Sequence, residues 1–143
     1  MGWEVQPVEW LLDSAMDLVK KGVQGRMFAD ARSFDAHNLA IDCKTLTRAL
    51  PKEKLLRRTD CVRRIPNLPE ELAAQVAQAN SFTDFSLEYA DRADQAGEAV
   101  ILETPLRSFL TMFQRSKELR NRDHWVSPQY DAGAWFRAGH RSS

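Results

Sequence analysis

Apolar residues recur at helical spacing near the beginning of the chain. The spacing predicts a helix over residues 7–21, in which Pro7 suits the first turn and Gly22 suits the position after the last turn. Residues 23–32 interrupt the pattern and predict a loop. The apolar stripe of the helix is formed by Val8, Leu11, Leu12, Ala15, Leu18 and Val19.

A second helical pattern follows between residues 33 and 50. Ser33 suits an N-cap, and Pro51 ends or bends the helix. Residues 52–64 then predict a third helix, closed by Pro66. The stripe of the second helix is Leu39, Cys43, Leu46 and Leu50, which directs Cys43 toward the core.

Two further helices are predicted between residues 69 and 97. Pro69 begins the first, because proline suits an initial turn and Glu70 and Glu71 suit the positive end of the helix dipole. Ser81 has the form of a capping box for the second, and Gly97 ends it. The apolar stripe of the second is Phe82, Phe85, Tyr89, Ala93 and Ala96.

The last helices are predicted after Pro105 and after Ser127. The first has apolar residues at i, i+3, i+4 and i+7 and a basic last turn near Arg122. The patterns together predict a mostly α, single compact domain over residues 1–143, with about six helices, short connections and a frayed tail at 139–143. The alternative is an α+β fold with a small hairpin formed by residues 84–90 and 98–103.

Charge is arranged in blocks, although the 143-residue chain has 20 basic and 20 acidic residues. Residues 44–64 carry 8 basic and 2 acidic groups, whereas residues 65–104 carry 1 and 8. The apolar fraction of 43% is typical of a globular protein, and no run approaches the ~20 apolar residues of a membrane span. We expect no membrane contact and a cytoplasmic location, since the N-terminus has no export signal pattern. In that compartment Cys43 and Cys61 would be reduced thiols.

The stretch LLRRTDCVRRIP, residues 55–66, holds four arginines: Arg57, Arg58, Arg63 and Arg64. On a helix they would spread around most of the circumference, whereas a groove-reading helix concentrates its cations on one face. Cys61 lies among them and is a candidate reactive thiol, because nearby cations favour the thiolate. The other reading of Cys61 is a small residue that the position tolerates.

Acidic residues form one edge of the predicted helix after Ser81. Asp84, Glu88 and Asp91 follow an i, i+4, i+7 line. The edge is either a solvated helix face or a docking strip for a basic partner. Aromatic residues that lie off the apolar stripes add candidate partner anchors: Trp10, Trp125 and Trp135.

Three functions are compatible with these patterns. The favoured one is a small protein-binding protein, such as an adaptor, an inhibitor or a regulatory subunit, which binds a protein partner or a second copy of itself through the charge blocks and aromatics. The alternative is a nucleic-acid-associated protein that uses residues 44–64. An enzyme without a visible motif would require distant groups such as Cys61 and His124 to meet. No catalytic residue, metal site or cofactor is predicted, since the histidine and cysteine spacings match no zinc module.

Overall fold

A computed structural model describes residues 20–41 and 44–129. It contains helices α1 (Lys21–Asp30), α2 (Glu70–Gln95) and α3 (Gln114–Arg120) and strands β1 (Ala36–Ala40) and β2 (Ala99–Glu103). Single 3-10 turns occur at Ala31–Ser33, Lys52–Lys54 and Phe109–Met112. The fold is a small α+β arrangement, so the prediction of about six helices is wrong. The predicted helix at 7–21 and the predicted frayed tail at 139–143 lie outside the described residues, apart from Lys20 and Lys21.

Helix α2 is the longest element and organises the rest. It begins after Pro69, as the sequence predicts, with Glu70 and Glu71 in its first turn. It ends at Gln95, and the chain then turns at Gly97, whose φ of 78° is easily reached by glycine. There the amide of Gly97 donates to the Asp94 carbonyl and the amide of Glu98 donates to the Ala93 carbonyl, which is the hydrogen-bond pattern of a Schellman motif.

The predicted helix break at Ser81 is wrong, because α2 runs through it without interruption. Ser81 and Thr83 are indifferent helix formers, but the helix interior on both sides of them is packed. Val76, Leu87 and Ala90 are almost fully buried. Tertiary burial therefore overrides the local capping signal.

The two strands pair in parallel, with Ala36 opposite Ala99 and Ala40 opposite Glu103. The prediction of a helix over 33–50 is thus wrong, and so is the alternative hairpin, since residues 84–90 lie within α2. The burial of His37 and Ile41, with Leu39 half-buried between them, follows the period of two that a strand requires. The same apolar positions also fit a helical spacing. The strand that pairs with β1, and so favours strand over helix here, lies about 60 residues further along the chain.

Three other predicted boundaries also change. The loop predicted at 23–32 is largely α1, and the helix predicted over 52–64 is a single 3-10 turn followed by irregular chain. The helix predicted after Pro105 is reduced to a 3-10 turn and α3, which keeps a basic last turn with Lys117 and Arg120. Residues 127–129 are not helical.

The main core lies between α2, the 3-10 turn at 109–112 and α3. A second buried layer joins α1, β1 and α2, where Phe28 packs against Phe85 at 5.2 Å between ring centroids. At its centre the Tyr89 hydroxyl lies 3.0 Å from His37 Nδ1, and His37 Nε2 lies 2.6 Å from a Glu98 carboxylate oxygen. The buried members of the main core are Ile41, Leu46, Leu87, Ala90, Phe109, Leu110, Phe113 and Leu119.

Candidate partner-binding surfaces

Arg57, a predicted partner-binding residue, is fully buried in the structure. Its guanidinium donates to the Thr45 carbonyl at 3.0 Å and to the carbonyls of Val62 and Arg63 at 2.9 Å each. It also donates to the side chains of Thr45 at 3.0 Å and Asn80 at 2.6 Å. Every one of these acceptors is neutral, so a buried cation is held without a carboxylate.

The backbone hydrogen bonds of residues 52–64 are not those of a helix. The Arg58 amide donates to the Cys61 carbonyl at 3.3 Å and the Ile65 amide donates to the Leu56 carbonyl at 3.2 Å, whereas helical amides donate to the carbonyl four residues earlier. Burial, and to a smaller extent the positive charge of Arg63, lower the pKa of Arg57 to about 10. The side chain remains charged at neutral pH and serves to hold the loop against α2.

Arg63 lies at the surface next to this buried cation. It makes two hydrogen bonds to the Asp84 carboxylate, at 2.9 and 2.5 Å, and its guanidinium carbon lies 5.3 Å from the Phe113 ring centroid. These hydrogen bonds raise the pKa of Arg63. Asn80 donates to the Arg63 carbonyl at 3.0 Å, so α2 holds both Arg57 and the backbone of its neighbour.

The other two arginines of the stretch behave differently. Arg58 is exposed and pairs with Asp60 at 3.2 Å, while its Nη2 lies 3.8 Å from the Cys61 sulfur. Cys61 is a free, half-buried thiol. Arg64 is exposed and makes no ion pair with another described residue.

The acidic edge of α2, which we define as Asp84, Glu88, Asp91 and Asp94, is neutralised from within the molecule. Glu88 pairs with Arg92 at 2.5 Å and with Arg115 at 3.9 Å. Arg122 bridges Asp91 and Asp94 with one hydrogen bond to each carboxylate. Since Asp84 is held by Arg63, every carboxylate of the edge has a cationic partner.

Asp94 is the most enclosed carboxylate of the acidic edge. Burial alone would raise its pKa, but hydrogen bonds from His124, Arg122 and the Trp125 indole lower the pKa below the ordinary 3.8. His124 Nε2 lies 2.7 Å from the carboxylate, and Trp125 is half-buried against the main core. Both residues thus contact the protein's own side chains, although part of each remains accessible.

A cleft with a volume of about 590 Å³ lies between α2 and residues 112–118. Its floor contains Val62, Leu87, Met112 and Phe113. Three predicted partner-binding residues, Arg63, Asp84 and Glu88, are brought together along its rim. The rim carries both signs of charge, and its ion pairs are already formed, so it provides little net electrostatic attraction for a partner.

A second surface carries cations that have no carboxylate partner within residues 20–41 and 44–129. An isolated antiparallel bridge between Thr47 and Ser108 holds two chain segments side by side. The Arg48 amide donates to the Arg107 carbonyl at 2.8 Å, so the two arginines occupy adjacent segments. Both side chains are exposed, and neither makes an ion pair with another described residue.

Exposed leucines flank these two arginines. Leu106 is 72% exposed and directly precedes Arg107, and Leu50 is 42% exposed and follows Arg48 by two residues. No aspartate or glutamate occurs between Lys44 and Lys52 or between Thr104 and Lys117. We call this set the basic leucine surface: Arg48, Leu50, Lys52, Leu106 and Arg107.

Sequence patterns single out only part of this surface. Residues 44–64 are conspicuously basic, but nothing local pairs Arg48 with Arg107, which is 59 positions further along the chain. Leu50 and Leu106 sit on apolar stripes of predicted helices and were expected in the core. The sequence signal for this surface is that neither of the two segments contains an acidic residue beside its arginine. This signal has meaning only when the bridge between Thr47 and Ser108 is known to join the segments.

Those of the remaining predicted site residues that the structure describes do not form a second cluster. Trp10 and Trp135 lie outside the described residues, as does Cys43. Cys61 contacts Arg58 while His124 contacts Asp94, and no hydrogen bond joins the two. Among residues 20–41 and 44–129, no group of three or more acidic, histidine or cysteine side chains is placed to hold a metal ion. Within the same residues no helix is both long and apolar enough to cross a bilayer.

The chain matches no protein-family model, no curated protein and no solved structure.

Proposed function

We propose that this is a cytoplasmic protein-binding protein whose basic leucine surface binds an acidic, apolar segment of a partner protein. One observation carries the proposal: Arg48 and Arg107 are exposed on adjacent segments beside two exposed leucines, and neither makes an ion pair with another described residue. The Arg48 guanidinium carbon lies 5.6 Å from the Phe109 ring centroid, which leaves its charge without a carboxylate partner among the described residues. Such cations attract carboxylates, and neighbouring leucines contribute apolar area that a charged surface alone lacks.

The acidic edge of α2 is less suited to binding a partner than the basic leucine surface is. Because its carboxylates already have cationic partners, a basic partner would have to compete with existing ion pairs there. The cations of the basic leucine surface have no carboxylate partner among the described residues, and the protein partner suited to this surface is acidic.

A protein partner accounts for this surface better than a nucleic acid does. Phosphate binding would use Arg48, Arg107 and Lys52, but Leu50 and Leu106 have no role in contacts to a phosphate backbone. The described part of the basic segment also offers no exposed aromatic ring on which a base could stack. The buried position of Arg57 removes one of the cations on which the nucleic-acid alternative relies.

The direct test is fluorescence anisotropy with the full chain and a labelled synthetic peptide in which glutamates and leucines alternate at helical spacing. We expect binding that weakens between about 50 and about 300 mM salt, since the attraction is screened. Arg48→Glu combined with Arg107→Glu should weaken binding about tenfold or more. The matched control is Arg32→Glu combined with Arg120→Glu, which reverses two other exposed arginines and should leave the affinity unchanged.

Three outcomes would overturn the proposal. The peptide could fail to bind at low salt, or the control reversal could weaken it as much as the reversal at Arg48 and Arg107. Alternatively, duplex DNA or phosphatidylserine vesicles could bind through Arg48 and Arg107 while the peptide does not, which would assign the surface to a different class of partner.

A further inference from the structure

Thr104 lies in the short segment that joins β2 to the 3-10 turn at 109–112. It is exposed, and its hydroxyl makes no hydrogen bond to another residue of the described ranges. Pro105 follows it, and Arg107 is the third residue after it. A serine or threonine followed by proline, with arginine or lysine at the third position, is the pattern that proline-directed protein kinases modify. Thr104 therefore meets both the sequence and the accessibility requirements of such a kinase.

Thr104 is also close along the chain to the cations of the basic leucine surface. Three residues of chain span at most about 11 Å, a gap that an arginine and a phosphothreonine side chain can close together. The chain turns at Leu106 and Arg107, so the separation is shorter than this limit. Because the Arg107 carbonyl accepts from the Arg48 amide at 2.8 Å, a phosphate that reaches Arg107 also lies beside the segment of Arg48.

We infer that Thr104 is a phosphorylation site, and that its phosphate pairs with Arg107 and Arg48 and weakens binding of the acidic partner. This inference rests on the proposed function of the basic leucine surface. In the reaction the Thr104 hydroxyl oxygen bonds to the γ-phosphorus of a nucleoside triphosphate as the bond to the departing nucleoside diphosphate breaks, and the hydroxyl proton passes to the kinase's general base.

The charge introduced by this modification matches the charge of the surface. A phosphothreonine carries about −1.5 to −2 charges at neutral pH, which is comparable with the two positive charges of Arg48 and Arg107. Glu103 directly precedes Thr104, but its carboxylate accepts a hydrogen bond from Asn38 of β1 at 3.2 Å. No aspartate or glutamate occurs from Thr104 to Lys117, so the segment that carries Arg107 contains no acid to repel the phosphate.

A second pair of serine and proline provides a matched control. Ser127 and Pro128 are exposed, as Thr104 and Pro105 are. The third residue after Ser127, however, is Tyr130 and not a cation. Ser127→Ala therefore removes the incomplete pattern and leaves the complete one unchanged.

The test treats the full chain with a purified proline-directed protein kinase and ATP. Mass spectrometry identifies the modified position, and fluorescence anisotropy measures the affinity for the labelled acidic peptide. We expect phosphate at Thr104 and an affinity about tenfold weaker than before treatment. Ser127→Ala should lose as much affinity as the parent after treatment. Thr104→Val keeps the shape of the side chain without its hydroxyl and should bind the peptide equally well before and after treatment.

A second readout does not depend on the peptide. Neighbouring cations favour the dianion of a phosphate, so phosphorus NMR should show a pKa below the ordinary value of about 6 for the phosphate on Thr104. In the variant Arg48→Gln combined with Arg107→Gln, the phosphate should titrate at the ordinary value.

The two proposals fail separately. If the kinase leaves Thr104 unmodified, or if phosphate at Thr104 does not change the affinity, the inference is overturned. The proposed function stands in both cases, because the untreated chain still binds the peptide. If the untreated chain binds no peptide, the proposed function fails. A lowered phosphate pKa would then still support the pairing of the phosphate with the two arginines, and an ordinary value would overturn it.

Discussion

The basic segment at residues 44–64 and the acidic edge of α2 have opposite charge. They also differ in secondary structure and in the partners that surround their charged groups. The acidic edge is carried by a regular helix, and each of its carboxylates has a cation beside it. The basic segment is mostly irregular, and its most buried side chain is a cation surrounded by neutral oxygens. Charge density in a sequence therefore does not indicate which charges remain at the surface.

The largest expected effect on the free energy of unfolding is at Arg57, and it tests the difference between the two regions. Arg57→Ala leaves several buried acceptors unpaired, so it should lower the free energy of unfolding by about 3 to 5 kcal/mol. Arg63→Ala removes a cation from the acidic edge, but both side chains of its pair with Asp84 are at least half exposed, so the pair should contribute less than about 1 kcal/mol. Urea denaturation monitored by circular dichroism measures both. Equal effects would show that the two arginines do not differ in role.

A buried hydrogen-bond network outside both regions provides a reference for the loss of stability in Arg57→Ala. Tyr89→Phe removes the hydroxyl next to His37 Nδ1 and should lower the free energy of unfolding by about 1 to 2 kcal/mol, because a buried ring nitrogen loses its partner. The same denaturation experiment applies. An effect as large as that of Arg57→Ala would mean that the charge of Arg57 adds nothing beyond an ordinary buried polar group.

Thr83, one turn beyond Asn80 on α2, is a further buried polar residue of that helix. It is fully buried, and its hydroxyl has no hydrogen-bond partner among the described residues. Thr83→Val keeps the shape and removes the unpaired group, so we expect a gain in stability of about 1 kcal/mol. A loss of stability would indicate that the Thr83 hydroxyl makes a hydrogen bond in the folded protein.

The acidic edge should be visible in the pH dependence of stability. Because the pKa of Asp94 is lowered in the folded protein, its contribution is fully present above its ordinary value of 3.8 and is lost as the pH falls through the folded value. Asp94→Asn should therefore flatten the fall in urea midpoint below about pH 4. Asp35→Asn, at an exposed carboxylate, is the control and should leave the slope unchanged. An unchanged slope in Asp94→Asn would contradict the neutralised edge.

Local signals predicted the parts of the fold that depend on neighbouring residues. Pro69 with its two glutamates marked the start of α2, and Gly97 marked its end, because both act through the backbone of adjacent positions. The alignment of Asp84 and Glu88 on one helix edge followed from the same regularity. The pairing of β1 with β2 could not be predicted, since a strand and a helix compete for the same apolar residues until a distant partner is known.

Which of the four arginines are buried and which are exposed could not be predicted from the sequence either. Arg57 and Arg58 are identical neighbours in the sequence, yet one is fully buried and the other is exposed beside Asp60. Their difference depends on the carbonyls of Val62 and Arg63 and on Asn80, which reach Arg57 only in the folded chain. The surface at Arg48 and Arg107 could not be predicted for the same reason, because a bridge between distant segments creates it.

Charge exchange across the proposed interface tests the central claim most directly. The protein with Arg48→Glu and Arg107→Glu is titrated with a peptide in which lysine replaces every glutamate of the acidic probe, and anisotropy reports the affinity. We expect this exchanged pair to recover binding, while the unaltered protein with the lysine peptide and the altered protein with the glutamate peptide remain weak. If the exchanged pair binds no better than the two mismatched pairs, the basic leucine surface is not where an acidic partner binds.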